Sequence, residues 1–383
     1  MKKAVSAVFS VIILLAVLCI SVTAGTYAFQ FEDGENSDEN VREDFEKFTA
    51  QLPEDVKNRL GSENAESPEK IAESFDFDYF TGLISDSISQ SIPSAMKTLC
   101  LTAALLIISA LFRALEKAAS TECAAAFNTC SMLCFALAFL AMQKSLFAAV
   151  GIMLSTLSNV MLTLLPFMES VYILSGNVTT AAVNDTGLGL MITFAQKLFD
   201  SVLAPGADIC FLLAAVCSVT GNKGISQISG LLKKLLSGFL VTVMTLMSFV
   251  LTLQSGVASA ADNFGIRTLK FAMGSYIPII GGTIAESFSI LASSVSVLKK
   301  ASGVAGIVVI IIICLPVILT LAANRLSISI SGVWAGLLEC SREKDFIDEA
   351  GSIQSLLIAV STAAAVMFIY AMSLFCRITP AYG

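Results

Sequence analysis

No histidine occurs among the 383 residues of this chain. Without imidazole it lacks the one side chain that ordinarily gains and loses a proton near neutral pH, and also the commonest metal ligand. Charge is scarce too. Asp, Glu, Lys and Arg make up 14% of the residues, against about 25% in ordinary soluble domains. There is no GxxxxGK[ST] loop for a nucleotide, no HExxH and no dinucleotide fingerprint. Catalysis and ATP-driven work by this chain alone are therefore not expected, and neither is a resident cofactor. A motor, if one is needed, has to be another subunit.

Cysteine is present, but not in a disulfide or zinc pattern. No CxxC pair occurs. Cys100, Cys130, Cys134, Cys210, Cys217, Cys314 and Cys376 all fall in apolar stretches, and residues 29–93 contain none. Cys130 and Cys134 share a helix face, yet two thiols without further ligands make a poor zinc site. They read as small packing residues that suit an apolar medium.

What the chain has in abundance is hydrocarbon. Hydrophobic residues make up 56% of it and the mean hydropathy is +0.81. The run Gly303–Ala323 carries no charge and has the roughly 20 residues needed to cross a bilayer core of about 30 Å. Spans are predicted at 94–112, 123–142, 146–168, 186–204, 206–221, 237–257, 303–323, 326–340 and 353–376. The weaker stretch 271–298 is a span, a re-entrant segment or an interfacial helix. The predicted fold is all-α, a polytopic transmembrane helix bundle of about eight to ten spans over residues 94–383.

The N-terminus reads as a signal peptide over 1–28. A basic Met1-Lys2-Lys3 start precedes an apolar Ala4–Val22 and a small-x-small site at Thr26-Tyr27-Ala28, with an uncleaved anchor as the alternative. Residues 29–93 hold 17 acidic and 5 basic residues, a balance of −12, whereas 94–383 hold 13 and 16. This acidic segment is expected outside the cytoplasm, its charge serving solvation or a basic partner. Within it, Phe45, Phe48, Leu52, Val56 and Leu60 recur at helical spacing and predict one amphipathic helix. Phe75, Phe77, Tyr79 and Phe80 form an aromatic cluster suited to the headgroup level. The positive-inside rule then puts Arg113, Lys117, Lys223, Lys233 and Lys234 in the cytoplasm. Residues 225–237 (ISQISGLLKKLLS) suggest a surface helix or basic connector.

Polar groups inside the apolar part are the candidate functional residues: Glu169, Lys197, Asp200, Asp208 and Glu286, with Gln254 beside them. Ionisable groups at membrane depth normally face protein or water. Lys197 and Asp200, three apart, are expected to share a face and pair, either stitching helices or lining a pathway. Pro166, Pro205, Pro278 and Pro316 are expected to interrupt helices. Gly274, Gly281, Gly282, Gly303 and Gly306 point to close helix packing.

Two blocks carry a family resemblance. One is Ser175-Gly176-Asn177-Val178-Thr179-Thr180-Ala181-Ala182. The other runs from Ile266-Arg267-Thr268-Leu269-Lys270 through Gly274, Pro278 and Gly281 to Lys299-Lys300-Ala301-Ser302-Gly303-Val304-Ala305-Gly306. With the order of signal, acidic segment and spans, the chain resembles the stage III sporulation protein AE family of endospore-forming Firmicutes. It departs from the family pattern at Lys300, where the family carries Asn, and after Val183. The resemblance implies a non-enzymatic, multi-pass subunit of a secretion-like channel joining mother cell and forespore during engulfment, needed for late forespore development. It implies location in the mother-cell membrane that surrounds the forespore. Implied partners are other membrane subunits, through them a motor ATPase and a forespore membrane protein, and the lipid bilayer. No nucleic acid is expected. Arg267 and Lys270 would hold headgroups or a partner. The competing reading is a stand-alone secondary transporter for small solutes.

Overall fold

The computed structural model describes residues 39–61, 67–118, 121–221, 223–276 and 281–377. The expected signal peptide lies outside them. Three short helices, α1 (Glu39–Ala50), α2 (Glu54–Leu60) and α3 (Pro68–Ser74), precede the long ones. These are α4 (Phe77–Ala118), α5 (Thr121–Leu174), α6 (Val178–Leu198), α7 (Ala204–Thr220), α8 (Lys223–Tyr276), α9 (Gly281–Leu337) and α10 (Ser341–Arg377). A π-helical turn, Phe199–Leu203, joins α6 to α7 without a break.

The connections follow from local chemistry. After α5, Gly176 takes φ +75° and the Asn177 N–H donates to Tyr172 O at 2.9 Å while the Gly176 N–H donates to Ile173 O at 3.0 Å. That is a Schellman cap, which uses glycine because the left-handed region has no Cβ clash for it. Gly221, at φ +67°, ends α7. The α9–α10 turn repeats the Schellman bonds, Cys340 N–H to Ala335 O and Glu339 N–H to Gly336 O, but puts Glu339 at φ 58°. The turns after α5 and α9 therefore reverse the chain within three residues each.

Six helical stretches among the described residues are long and apolar enough to cross a membrane: Phe77–Ala114, Thr129–Leu174, Val178–Thr220, Gly224–Gly265, Ser296–Leu337 and Ser341–Arg377. Fewer, longer helices thus replace the predicted eight to ten spans. The pairs 123–142 and 146–168, 186–204 and 206–221, and 303–323 and 326–340 each merge into one helix. The breaks between them, Gln143-Lys144-Ser145, Pro205 and Asn324-Arg325, were too weak to turn a chain, and the helices also continue through Pro166 and Pro316, which were expected to interrupt them. Residues 225–237 open α8 instead of forming a separate surface helix, and the stretch 271–298 falls on the end of α8 and the start of α9, with 277–280 outside the described residues.

The centre of the bundle is α9. In its most apolar window 78% of residues are buried, and in that of α10 67%, against 17% in α4. Antiparallel α9 and α10 pack through their small residues. A Cβ on Gly303 would overlap Cys376 Sγ, and one on Gly306 would overlap the Met372 methyl. The expected close packing at these two glycines is present. Outer helices expose apolar side chains such as Leu111, Leu137, Leu190 and Val257.

The polar N-terminal part joins this core. Pro53 splits the predicted amphipathic helix into α1 and α2, yet Phe45, Phe48, Leu52, Val56 and Leu60 are all buried. Phe45 meets Phe167 of α5 at 5.2 Å between ring centroids, and Ser170 donates to Asp44 at 2.6 Å. Of the aromatic cluster, Phe75 and Phe80 are buried and the Tyr79 hydroxyl donates to Arg59 O at 2.7 Å. Only Phe77 is exposed in the manner expected of a headgroup anchor. The helix α4 runs through residue 94 without interruption.

Candidate functional site

Polar side chains meet at three levels of the bundle. At the end that holds α1–α3, Asp262 of α8 reaches the start of α6. Its carboxylate accepts from Thr179 N (2.9 Å), Thr180 N (2.8 Å) and Thr180 Oγ1 (2.7 Å), and the residue is 8% exposed. The first N–H groups of a helix lack internal partners and carry partial positive charge. A buried carboxylate supplied by a neighbouring helix satisfies both needs. Asn177 Nδ2 donates to Ser175 Oγ at 2.8 Å within the same turn, and both residues are fully buried. Lys299, also buried, lies over the Tyr172 ring at 4.7 Å and the Phe375 ring at 5.6 Å.

At mid-height a seam joins α4, α9 and α10. Thr98 Oγ1 donates to Asn324 Oδ1 at 2.6 Å, and Asn324 Nδ2 donates to Ser94 Oγ at 3.1 Å. Ser91 and Thr320 hydroxyls lie 2.9 Å apart, and Ser327 donates to Ala95 O. On the other flank of α9, Arg325 Nε donates to Ser355 Oγ at 3.0 Å and Gln354 Nε2 to Leu321 O at 3.2 Å.

At the opposite end, Glu343 of α10 is buried and accepts from Ser109 and from Arg113 Nη2, the latter at 3.1 Å. Arg113 also donates to the carbonyl of Glu339. Two turns along, Glu349 accepts from Lys233 Nζ at 2.5 Å and Ser229 Oγ at 2.6 Å. Arg113 and Lys233 therefore lie toward the same end of the bundle, through Glu343 and Glu349 of α10. Beside them a cleft of about 550 Å³ opens between α7, α8 and α10, lined by Ser218, Ser226, Arg342, Asp345, Asp348 and Glu349 among others.

The candidates from sequence fall differently. Glu169 is half-buried on α5; Lys197, Asp200 and Asp208 are exposed. The expected Lys197–Asp200 ion pair is absent from those joining the described residues. The π turn begins at Phe199, between them, and widens the helix there, so the face-sharing of a regular α-helix does not apply. Gln254 packs against Gly187. Of the motif residues, Gly176, Asn177, Val178 and Thr179 form the turn and helix start that Asp262 clasps, while Val178 itself is exposed. Arg267, Lys270, Gly274, Gly281 and Glu286 fall in α8 and α9 but their side chains lie outside those described, and Pro278 lies outside the described residues. The cysteines described are free thiols, and no cluster of three or more metal-ligating Cys, Asp or Glu occurs among the described residues.

Sequence reasoning missed Asp262, Asn324, Arg325, Glu343 and Glu349. Asn324-Arg325, placed between two predicted spans as if in a loop, was a visible signal: a polar pair inside 57 residues of otherwise continuous helix. Asp262 offered none, since its partners lie more than 80 residues away.

Described residues that are all helical, with six membrane-length helices stitched by buried polar seams, define a multi-pass membrane protein. The family model for stage III sporulation protein AE (spore_III_AE) matches residues 66–379, and the chain belongs to that family. It is 24% identical over 160 residues to stage III sporulation protein AE of Bacillus subtilis (strain 168), covering 42% of this chain and 40% of that relative. The aligned part thus spans less than half the length of the curated relative. No solved structure matches.

Proposed function

We propose that this protein is a membrane-embedded subunit of the channel-like assembly between mother cell and forespore, acting without catalysis in the mother-cell membrane around the forespore. The observation that carries this reading is the family match over residues 66–379, which takes in the six membrane-length helices of the described residues and α3, one of the three short helices docked on them. A bundle this polar inside and without a nucleotide motif suits a component energised by another subunit. The docked α1–α3 end is the acidic surface for partners outside the cytoplasm, and the opposite end, with Arg113 and Lys233, faces the cytoplasm and a motor.

Affinity purification of the tagged chain from sporulating cells is expected to recover other sporulation membrane proteins, and deletion is expected to arrest development after engulfment. Recovery of the chain alone, with normal spores from the deletion strain, would defeat the proposal. Solute uptake by vesicles holding only this protein would favour a carrier instead.

A further inference from the structure

Three exposed charges, one each on α4, α5 and α7, lie at one level of the bundle, inside its apolar belt. Lys97 adjoins Thr98, which bonds Asn324 of α9. Lys144 lies two residues before Leu146, which with Ala149 borders Pro316, Thr320 and Leu321. Asp208 lies three residues before Phe211, whose ring meets Phe147 at 5.5 Å. All three thus stand near the height of residues 320–325.

That height falls within the belt. On α4 the exposed apolar side chains run from Ile92 through Met96, Leu101 and Ile108 to Phe112, 21 residues or about 31 Å, which matches a bilayer core. Val202 of the π turn and Ile209, Leu212 and Val216 of α7 bracket Asp208. Lysine can snorkel, but helical side chains tilt toward the helix N-terminus. For α5, which starts at the opposite end, the tilt takes Lys144 away from the nearer membrane surface. Aspartate is too short to escape. None of the three joins an ion pair among the described residues.

We infer that this chain associates head to tail with a second copy of itself inside the membrane, Lys97 and Lys144 of one copy meeting Asp208 of the next. Opposite charges at equal height on different helices fit a heterologous contact, in which two different patches of the same chain meet. The inference rests on the membrane placement above but not on the identity of other subunits. It is tested with this protein alone.

The experiment is single-molecule photobleaching of the labelled full-length chain in liposomes of neutral lipid over a range of protein-to-lipid ratios. The native protein is expected to show multimeric steps. Lys97→Asp/Lys144→Asp and Asp208→Lys are each expected to weaken association at least tenfold, and the combined variant to restore it. Near-UV and far-UV circular dichroism of each variant reports folding; should a reversal not fold, Lys144→Met and Asp208→Asn serve in its place and are each expected to weaken association. A native chain that stays monomeric at every ratio overturns the inference. So does equal association of native and folded variants, the result expected if lipid headgroups alone hold these charges.

Discussion

Asp262 is the residue on which one end of the bundle depends. Removing its carboxylate orphans two backbone N–H groups and a hydroxyl that are otherwise sequestered. Asp262→Ala is expected to cost about 2–4 kcal/mol, and Asp262→Asn, which keeps an acceptor, about half as much. Unfolding in mixed micelles with increasing denaturing detergent would measure both; equal, negligible losses would show the clasp to be ornamental. Glu339 is the converse case. It occupies a left-handed position that glycine fills in the other two turns, so Glu339→Gly is expected to stabilise by up to about 1 kcal/mol. Its side chain has no part in the Arg113 contact, which uses the backbone carbonyl. Loss of stability on that substitution would mean that the carboxylate has a partner role of its own.

At the scale of helices, the chain advertised its elements better than their boundaries. Uninterrupted apolar composition gave every membrane-length helix a predicted span, and the glycines Gly303 and Gly306 correctly announced where α9 and α10 touch. Length misled, because about 20 residues suffice to cross lipid, yet α4 has 42 and α9 has 57. Where a helix outruns the bilayer, polar residues in its middle look like loops. Asn324-Arg325 was misplaced in that way. The π turn was invisible as well, since no residue type dictates it, and it undid the Lys197–Asp200 pairing. A double-mutant cycle on Lys197→Met and Asp200→Leu is accordingly expected to give a coupling below about 0.5 kcal/mol. A coupling above about 1 kcal/mol would show that the two charges do meet in the bilayer.

For the whole molecule, the seams outweigh the surface. The buried Glu343, held by Ser109 and Arg113, ties α4 to α10 across more than 200 residues. Its replacement by alanine leaves Arg113 facing a buried site and is expected to cost about 3 kcal/mol, whereas Lys144→Met should leave folding of an isolated copy nearly untouched. Thermal melting in detergent separates the two, and equal melting points would contradict the ranking. None of these long-range partners was legible in the sequence, because a single chain shows which residues are polar but not which helices lie side by side.

The most enclosed helix is α9, and it is among the last to leave the ribosome. Ser94 and Thr98 of α4 find their side-chain partner, Asn324, only on α9. During biogenesis the early helices must therefore wait in the bilayer, with hydroxyls unsatisfied, around a vacancy that their own C-terminal third will fill. Chains cut short before residue 281 should accordingly be cleared by membrane proteases, and a pulse-chase comparison with the full-length protein would show it.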